Sequence, residues 1–289
     1  MDTFFICILF TFVPAMQYSL FTQSKYKFFC LGSGSSGNCY YLGTSQYGIL
    51  IDAGIGIRTI RKTLKEYGIA MERITGVLIT HDHADHIKTV GCLGDKLNIP
   101  VYTTEAIHDG IVRSRYVDAK LQTTKRIIEK ENPFSINDFH ITAFDVPHDS
   151  IENVGYHIQF DEQTLVLLTD IGRITDTVRQ YASRANHLII ESNYDDDMLR
   201  NGRYPLFLKR RICSGMGHLS NKLSGEFIAS IYNERMKNIW LCHLSQDNNH
   251  PDIAYKAVEE ALSVNGVQVG RDVKLETLSR YKASGLREF

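Results

Sequence analysis

The sequence contains no apolar run of the roughly 18 residues that a helix needs to cross a bilayer. Its six cysteines form no CxxC pair and follow no regular spacing. A chain of 289 residues can bury a core without disulfides, so the thiols read as reduced and the expected compartment is cytoplasmic, with no membrane partner. Charge of one sign is also lacking: 32 basic residues against 33 acidic leave a formal net charge of -1. No global field draws the chain to nucleic acid or to an anionic surface, and a polyanion would have to be gripped locally. Repeats, low-complexity tracts and Pro/Ser linkers are absent as well.

The composition that remains, 43% hydrophobic and 22% charged, is that of an ordinary globular protein. Two basic clusters, Lys209 to Arg211 and the group Arg113, Arg115, Lys120, Lys125 and Arg126, are candidate local grips whose plainer reading is a solvated face. Phe4 to Val13 is an apolar run of signal-peptide length, but Asp2 precedes it with no Lys or Arg, and no A-x-A site follows. Residues 1–25 are therefore expected to be a spurious start or a disordered extension, and 26–289 a single domain.

Strand-like and helix-like segments alternate along the body. YYLGT and YGILIDAG read as strands, Ile57, Ile60 and Leu64 recur at helical spacing, and ITGVLIT runs into His81. FHITAFDVPHD, VGYHIQF, TLVLLTD, HLIIES and NIWLCH follow as further strands. Helices are expected over Leu223–Met236 and Ile253–Leu262, with a last strand in VKLETLS. Asp52, His81, His148, Asp170, Glu191 and His243 each stand at the end of an apolar run. Rigid strands fix the side chains that leave their ends, so six such endings point to one shared site. Cys242, one residue before His243, should face the opposite side and belong to the core.

His81-x-His83-x-Asp85-His86 places three imidazoles and a carboxylate within six residues. Imidazole with carboxylate suits Zn²⁺, and also Mn²⁺ or Fe²⁺. A single His in this position would read as a satisfied core residue, but four polar groups packed together would each need a buried partner. THDHADH resembles the HxHxDH signature of the metallo-β-lactamase-fold metallohydrolases. The resemblance extends, in order, to Asp52 in LIDAG, His148 in VPHD, Asp170 in LLTDIG and His243 in LCHLS, and spans roughly Cys30 to the C-terminus. It implies an α/β fold, a four-layer αββα sandwich of two mixed sheets flanked by helices. It also implies two divalent ions, zinc first and manganese second. His81, His83 and His148 would hold one, Asp85, His86 and His243 the other, with Asp170 between them and Asp52 orienting the ligands. His108, His140, His157, His187 and His250 match no motif position and read as core or surface residues.

That cradle hosts several chemistries. His83 stands where the flavodiiron branch resembles Glu, and the 73 residues from Asp170 to His243 leave no room for the insertion of the β-CASP nucleases. ESNYD at Glu191, GHLSN at His218 and HLSQ at His243 resemble the tRNase Z endonucleases. LGSGSSGNCYYLGT resembles the opening of the small YycJ/WalJ-like branch of bacterial DNA exonucleases. These resemblances imply a phosphodiesterase with DNA as substrate, in which a hydroxide shared by the ions and oriented by Asp85 attacks phosphorus while Glu191 and His218 assist the leaving oxygen. In the Gly/Ser turn, Ser33, Ser36 and Asn38 are candidate phosphate donors, the plainer reading being a turn. A small-molecule hydrolase acting on a cyclic phosphodiester, thioester or lactone is the alternative, and a non-catalytic metal-binding scaffold a third class. Oligomeric state is open, a homodimer included.

Overall fold

The computed structural model describes residues 25–289; the expectation for the N-terminal extension falls, but for Lys25, outside them. Six strands build a first sheet in chain order: β1 Lys27–Gly32, β2 Cys39–Gly43, β3 Gly48–Ile51, β4 Ile74–Leu78, β5 Val101–Thr103 and β6 Lys125–Ile127. Seven build a second: β7 Phe134–Ile136, β8 Phe139–Asp145, β9 Val154–Phe160, β10 Gln163–Leu168, β11 His187–Glu191, β12 Asn238–Cys242 and β13 Lys274–Thr277. A last strand, β14 Arg287–Glu288, returns to pair with β1. Both sheets are mixed. Pairing is antiparallel from β1 to β3 and parallel from β3 to β6. In the second sheet it is antiparallel from β7 to β10 and parallel from β10 to β13.

Among the described residues eight α-helices accompany the sheets: α1 Ile57–Glu66, α2 Ala84–Ile87, α3 Glu105–Arg113, α4 Asp176–Ala182, α5 Asp196–Asn201, α6 Leu206–Ile212, α7 Asn221–Ile231 and α8 Pro251–Val264. The period-2 alternation of the strands divides the core in two. On β11, Ile189 packs between the sheets while Leu188 and Ile190 face α4, α7 and α8; on β12, Trp240 and Cys242 point inward and Ile239 and Leu241 outward. Cys242 is thus a core residue, as its parity predicts. Phe28 and Trp240 join the two sheets with ring centroids 4.6 Å apart. Ile60 and Leu64 of α1 cover the other face of the first sheet, completing an αββα sandwich.

Three boundaries differ from the sequence-based expectation, each for a local reason. The strand leading to His148 stops at Asp145, because Pro147 offers no N–H to a ladder and its carbonyl accepts from Gly172 instead. The helix predicted over Leu223–Met236 starts at Asn221 and stops at Ile231, where Tyr232 turns to an extended conformation and the Asn233 amide bonds the Ile231 carbonyl. The helix predicted over Ile253–Leu262 gains Pro251 at its first turn, capped by the His250 ring, which accepts from Asp252 N–H.

Candidate metal centre

The parallel strands deliver their C-terminal ends to one edge of the sandwich, where open α/β sheets hold ligands. Asp52 follows β3, His81 lies three residues beyond β4, Asp170 follows β10, Glu191 ends β11 and His243 follows β12. Asp52, Asp170 and His243 adopt left-handed backbone, with φ of 58°, 53° and 52°. For a residue with a side chain this costs about 1 kcal/mol, and Asp and His are among those that tolerate it. The chain thus leaves its extended path at the residue whose side chain the site uses.

All seven expected ligands converge. Ligand atoms of His81, His83 and His148 lie within 4.8 Å of one another, as do those of Asp85, His86 and His243, and those of His81, His86 and Asp170. His83 Nδ1 stands 3.4 Å from His148 Nε2. Asp170 Oδ2 is 3.3 Å from His86 Nε2, and its Oδ1 is 3.8 Å from His148 Nε2. Asp170 therefore sits between the two groups.

The surrounding hydrogen bonds fix which ring nitrogen faces inward. The Thr80 hydroxyl donates to Asp52 at 3.0 Å, so His81 Nδ1–H must donate to that hydroxyl, also at 3.0 Å. His86 Nδ1–H donates to Asp52 Oδ2 at 2.7 Å, His148 Nδ1–H to the Gly217 carbonyl at 2.9 Å, and His243 Nδ1–H to Glu191 Oε1 at 2.8 Å. Each tautomer leaves an Nε2 lone pair aimed into the cluster. His81 Nε2 and His243 Nε2 are buried and have no hydrogen-bond partner, a costly state for polar atoms unless a cation takes the lone pairs. Neutral imidazoles beside buried carboxylates are a donor set that fits divalent metal ions.

The electrostatics agree. Burial alone would lower the His86 pKa, yet Asp52, Asp170 and Asp85 raise it well above the ordinary imidazole value. Burial opposes His243 too, but Asp170, Asp85 and Glu191 raise it to about 10. His81, with the same burial and the His86 charge beside it, is pushed well down. Against the burial that would raise it, Asp170 is held well below the carboxylate range by His243 and His86. A site this rich in anions calls for positive charge, and metal binding would displace the protons that otherwise supply it.

Glu191 is fully buried, and both its oxygens are engaged. Oε1 accepts from His218 Nδ1 and His243 Nδ1, each at 2.8 Å; Oε2 accepts from the backbone N–H of Ile171 at 2.8 Å and Leu219 at 3.0 Å. Glu191 and the nearby Asp170 raise the His218 pKa against the lowering effect of burial.

The Gly/Ser turn departs from expectation. Ser33 Oγ pairs with Tyr40 OH at 3.0 Å and accepts from His243 N–H at 2.9 Å. Asn38 Oδ1 accepts from Gly34 N–H, and its amide stands 2.9 Å from His86 Nε2 and 3.4 Å from Asp85 Oδ2. Of the three candidates, Ser36 alone faces solvent. Ser33 and Asn38 brace His243 and His86 and are not free phosphate donors. The sequence reading missed Thr80, Asn193, whose amide donates to the His243 carbonyl at 2.7 Å, and Asp149, whose Oδ1 is 3.4 Å from His148 Nε2. Their signal was adjacency: each lies within two residues of a named site residue. His108, His157 and His187 are buried away from this cluster, and His140 and His250 are exposed. No helix among the described residues is long and apolar enough to cross a membrane.

The model of the beta-lactamase superfamily domain matches residues 47–239. The chain is 35% identical over 267 residues to the exodeoxyribonuclease WalJ of Streptococcus pneumoniae, covering 92% of this chain and 99% of that protein. It is 33% identical over 262 residues to the exodeoxyribonuclease YycJ of Bacillus anthracis, covering 88% and 98%. Among solved structures, the metallo-β-lactamase fold protein YhfI of Bacillus subtilis superposes with a TM-score of 0.69 at 18% identity, over 92% of this chain and all of that one. The sandwich, the converging strand ends and these relatives agree: the chain belongs to the beta-lactamase superfamily, in the family of the WalJ and YycJ exodeoxyribonucleases, and is a metal-dependent hydrolase.

Proposed function

We propose that this chain is a DNA nuclease of exonuclease type, working with two divalent ions, zinc before manganese. The observation that carries the reading is the pair of donor groups that meet at Asp170, with Glu191 and His218 beside them. DNA enters through the relatives, both called exodeoxyribonucleases, whose lengths this chain matches almost fully.

His81, His83 and His148 would hold one ion, and Asp85, His86 and His243 the other, with Asp170 serving both. When bound, such ions supply Lewis acidity, activating water near neutral pH and offsetting charge on the phosphoryl group. The protein does the rest. Asp52 and Thr80 hold the His81 and His86 rings in the tautomer that presents Nε2. Glu191 does the same for His243 and keeps a proton on His218 Nδ1. His218, partly open to solvent at the rim, is placed to hand a proton to the leaving oxygen as the P–O bond breaks. Asp85 orients the attacking water.

His81→Ala tests the reading on a panel of labelled single- and double-stranded DNA, bis-p-nitrophenyl phosphate, a lactone and a thioester. The expected result is DNA cleavage by the wild type and none by a variant that still melts cooperatively. Undiminished cleavage by a preparation with no detectable bound metal would overturn it. Preference for the lactone or thioester would make it a small-molecule hydrolase.

A further inference from the structure

A cavity of about 460 Å³ adjoins the metal centre, with His218 on its inner wall. Leu219 and Phe227 give it a buried apolar floor, Leu223 stands half exposed at its mouth, and Ile174 closes a side. Two guanidinium groups belong to the same lining. Arg173 Nη1 donates to the Gly215 carbonyl at 3.2 Å, and Arg179 lies 5.3 Å over the Phe227 ring while donating to Ser230 Oγ at 2.8 Å. Neither makes a salt bridge among the described residues, and each keeps N–H groups for another partner. One carboxylate, Glu226, shares the rim.

We propose that this cavity receives the nucleotide on the leaving side of the scissile phosphate. The inference rests on the nuclease reading above, in which water attacks phosphorus, the bond to the leaving oxygen breaks and His218 supplies that oxygen with its proton. Whatever the leaving oxygen is attached to must then sit beside His218, and the space beside His218 is this cavity. Its size lies within the range of small-ligand pockets and suits a single nucleoside rather than a length of strand. Its apolar floor offers a face for a base, and Phe227 under Arg179 forms a platform of the kind on which bases stack. Arg173 and Arg179 meet the next phosphate, which answers the objection that the whole chain is nearly neutral. Positive charge is needed only where the strand ends. A cavity that admits one nucleotide also gives a physical reason for attack at a terminus.

The test uses the full chain with zinc or manganese, comparing wild type, Leu223→Trp, which fills the mouth, and Arg173→Ala. The surface variant Ile127→Trp, at a residue 54% exposed on edge strand β6 of the first sheet, controls for added bulk. Each is assayed for labelled DNA cleavage and, by calorimetry, for binding of deoxyadenosine monophosphate. The expected result is wild-type melting for all, with DNA KM raised and nucleotide binding weakened by about tenfold or more in the two cavity variants. Unchanged KM and unchanged nucleotide binding in a DNA-cleaving protein would overturn the cavity assignment and leave the nuclease reading intact. Should the wild type fail to cleave DNA, the nuclease reading falls, and with it the leaving-side role. Nucleotide binding that Leu223→Trp still abolished would then keep the cavity as a nucleotide site, and its absence would dismiss that too.

Discussion

Glu191→Gln separates two duties that one carboxylate performs. Its Oε2 accepts from Ile171 and Leu219 N–H, and a glutamine oxygen can keep both bonds. Its Oε1 accepts from His218 Nδ1 and His243 Nδ1, and an NH₂ group in that position cannot. Both rings would have to shift their proton from Nδ1 to Nε2 to accept from it. For His243 that shift removes the inward lone pair, and for His218 it removes the charged form. Loss of such an orienting partner lowers metal affinity by about 10–100-fold, or about 1.4–2.8 kcal/mol. Loss of a positioned proton donor costs about 10²–10⁴-fold in rate. Chelator competition measures the first, and kcat on DNA and on bis-p-nitrophenyl phosphate measures the second. The aryl ester, whose leaving group needs little protonation, should suffer less than DNA. Glu191→Ala is the contrast: it strands two buried backbone N–H groups at about 1–3 kcal/mol each, so it should lower the melting temperature where Gln does not. A Gln variant that binds zinc within about threefold of wild type and cleaves DNA at the same rate would refute the whole account of Glu191.

Three further outcomes follow from the same contacts. Asp52→Asn keeps the size and the left-handed backbone but unsettles the bond to His86 Nδ1; zinc affinity should fall about 10–100-fold with little change in far-UV circular dichroism, and unaltered affinity would contradict it. Gly54→Ala would place a Cβ 1.6 Å from the Asp85 carbonyl oxygen, so the loop bearing Asp85 must shift, and the variant should lose metal before it loses its melting transition. Burial, with Arg184 and Lys237 nearby, lowers His157 to about 4 and His187 to about 3. Because these folded values lie below the ordinary value near 6.5, the unfolded chain takes up the protons first. Stability is full above pH 6.5 and falls as the pH drops toward about 4 and then 3. At pH 5 each ring accounts for about 2 kcal/mol, read as a lower urea midpoint than at pH 7, and His187→Gln should remove about half of the drop. A drop that this variant leaves intact would assign the acid sensitivity to other groups.

The convergence of the seven candidate residues was legible in the sequence because each sits beside a strong local signal. An apolar run ends, and a His or Asp follows; the strand period then fixes which side chains share a face, as Cys242 and His243 show on β12. The order of layers was legible through the family resemblance of those same residues. Short strands such as β5 and β6, three residues each, carry too few positions for alternation to register. The turn at Ser33–Asn38 misled for a different reason. Its polar atoms were counted as free, while a hydroxyl or amide in a turn is free only if nothing distant claims it. Here the claimants are the His243 backbone, 210 residues away, and the His86 ring, 48 residues away.

The backbone at Asp52, Asp170 and His243 depends on distant contacts in the same way. Their left-handed φ is a conformation that short-range sequence does not dictate for Asp or His; it persists because surrounding structure over-determines it. Asp52 is held by Thr80 and His86, Asp170 sends its carbonyl to the Asn153 amide at 2.9 Å, and His243 is fixed by Ser33, Asn193 and Glu191. Each strained position is thus tied to a residue from another part of the chain, and the ties converge on the ligand rings. The strain is local and the restraint is global, so the site forms only when both sheets have closed on each other. This ordering would make metal binding report on folding: ions that draw donors from beyond β4, β8, β10 and β12 together would have little to hold until β12 is in place.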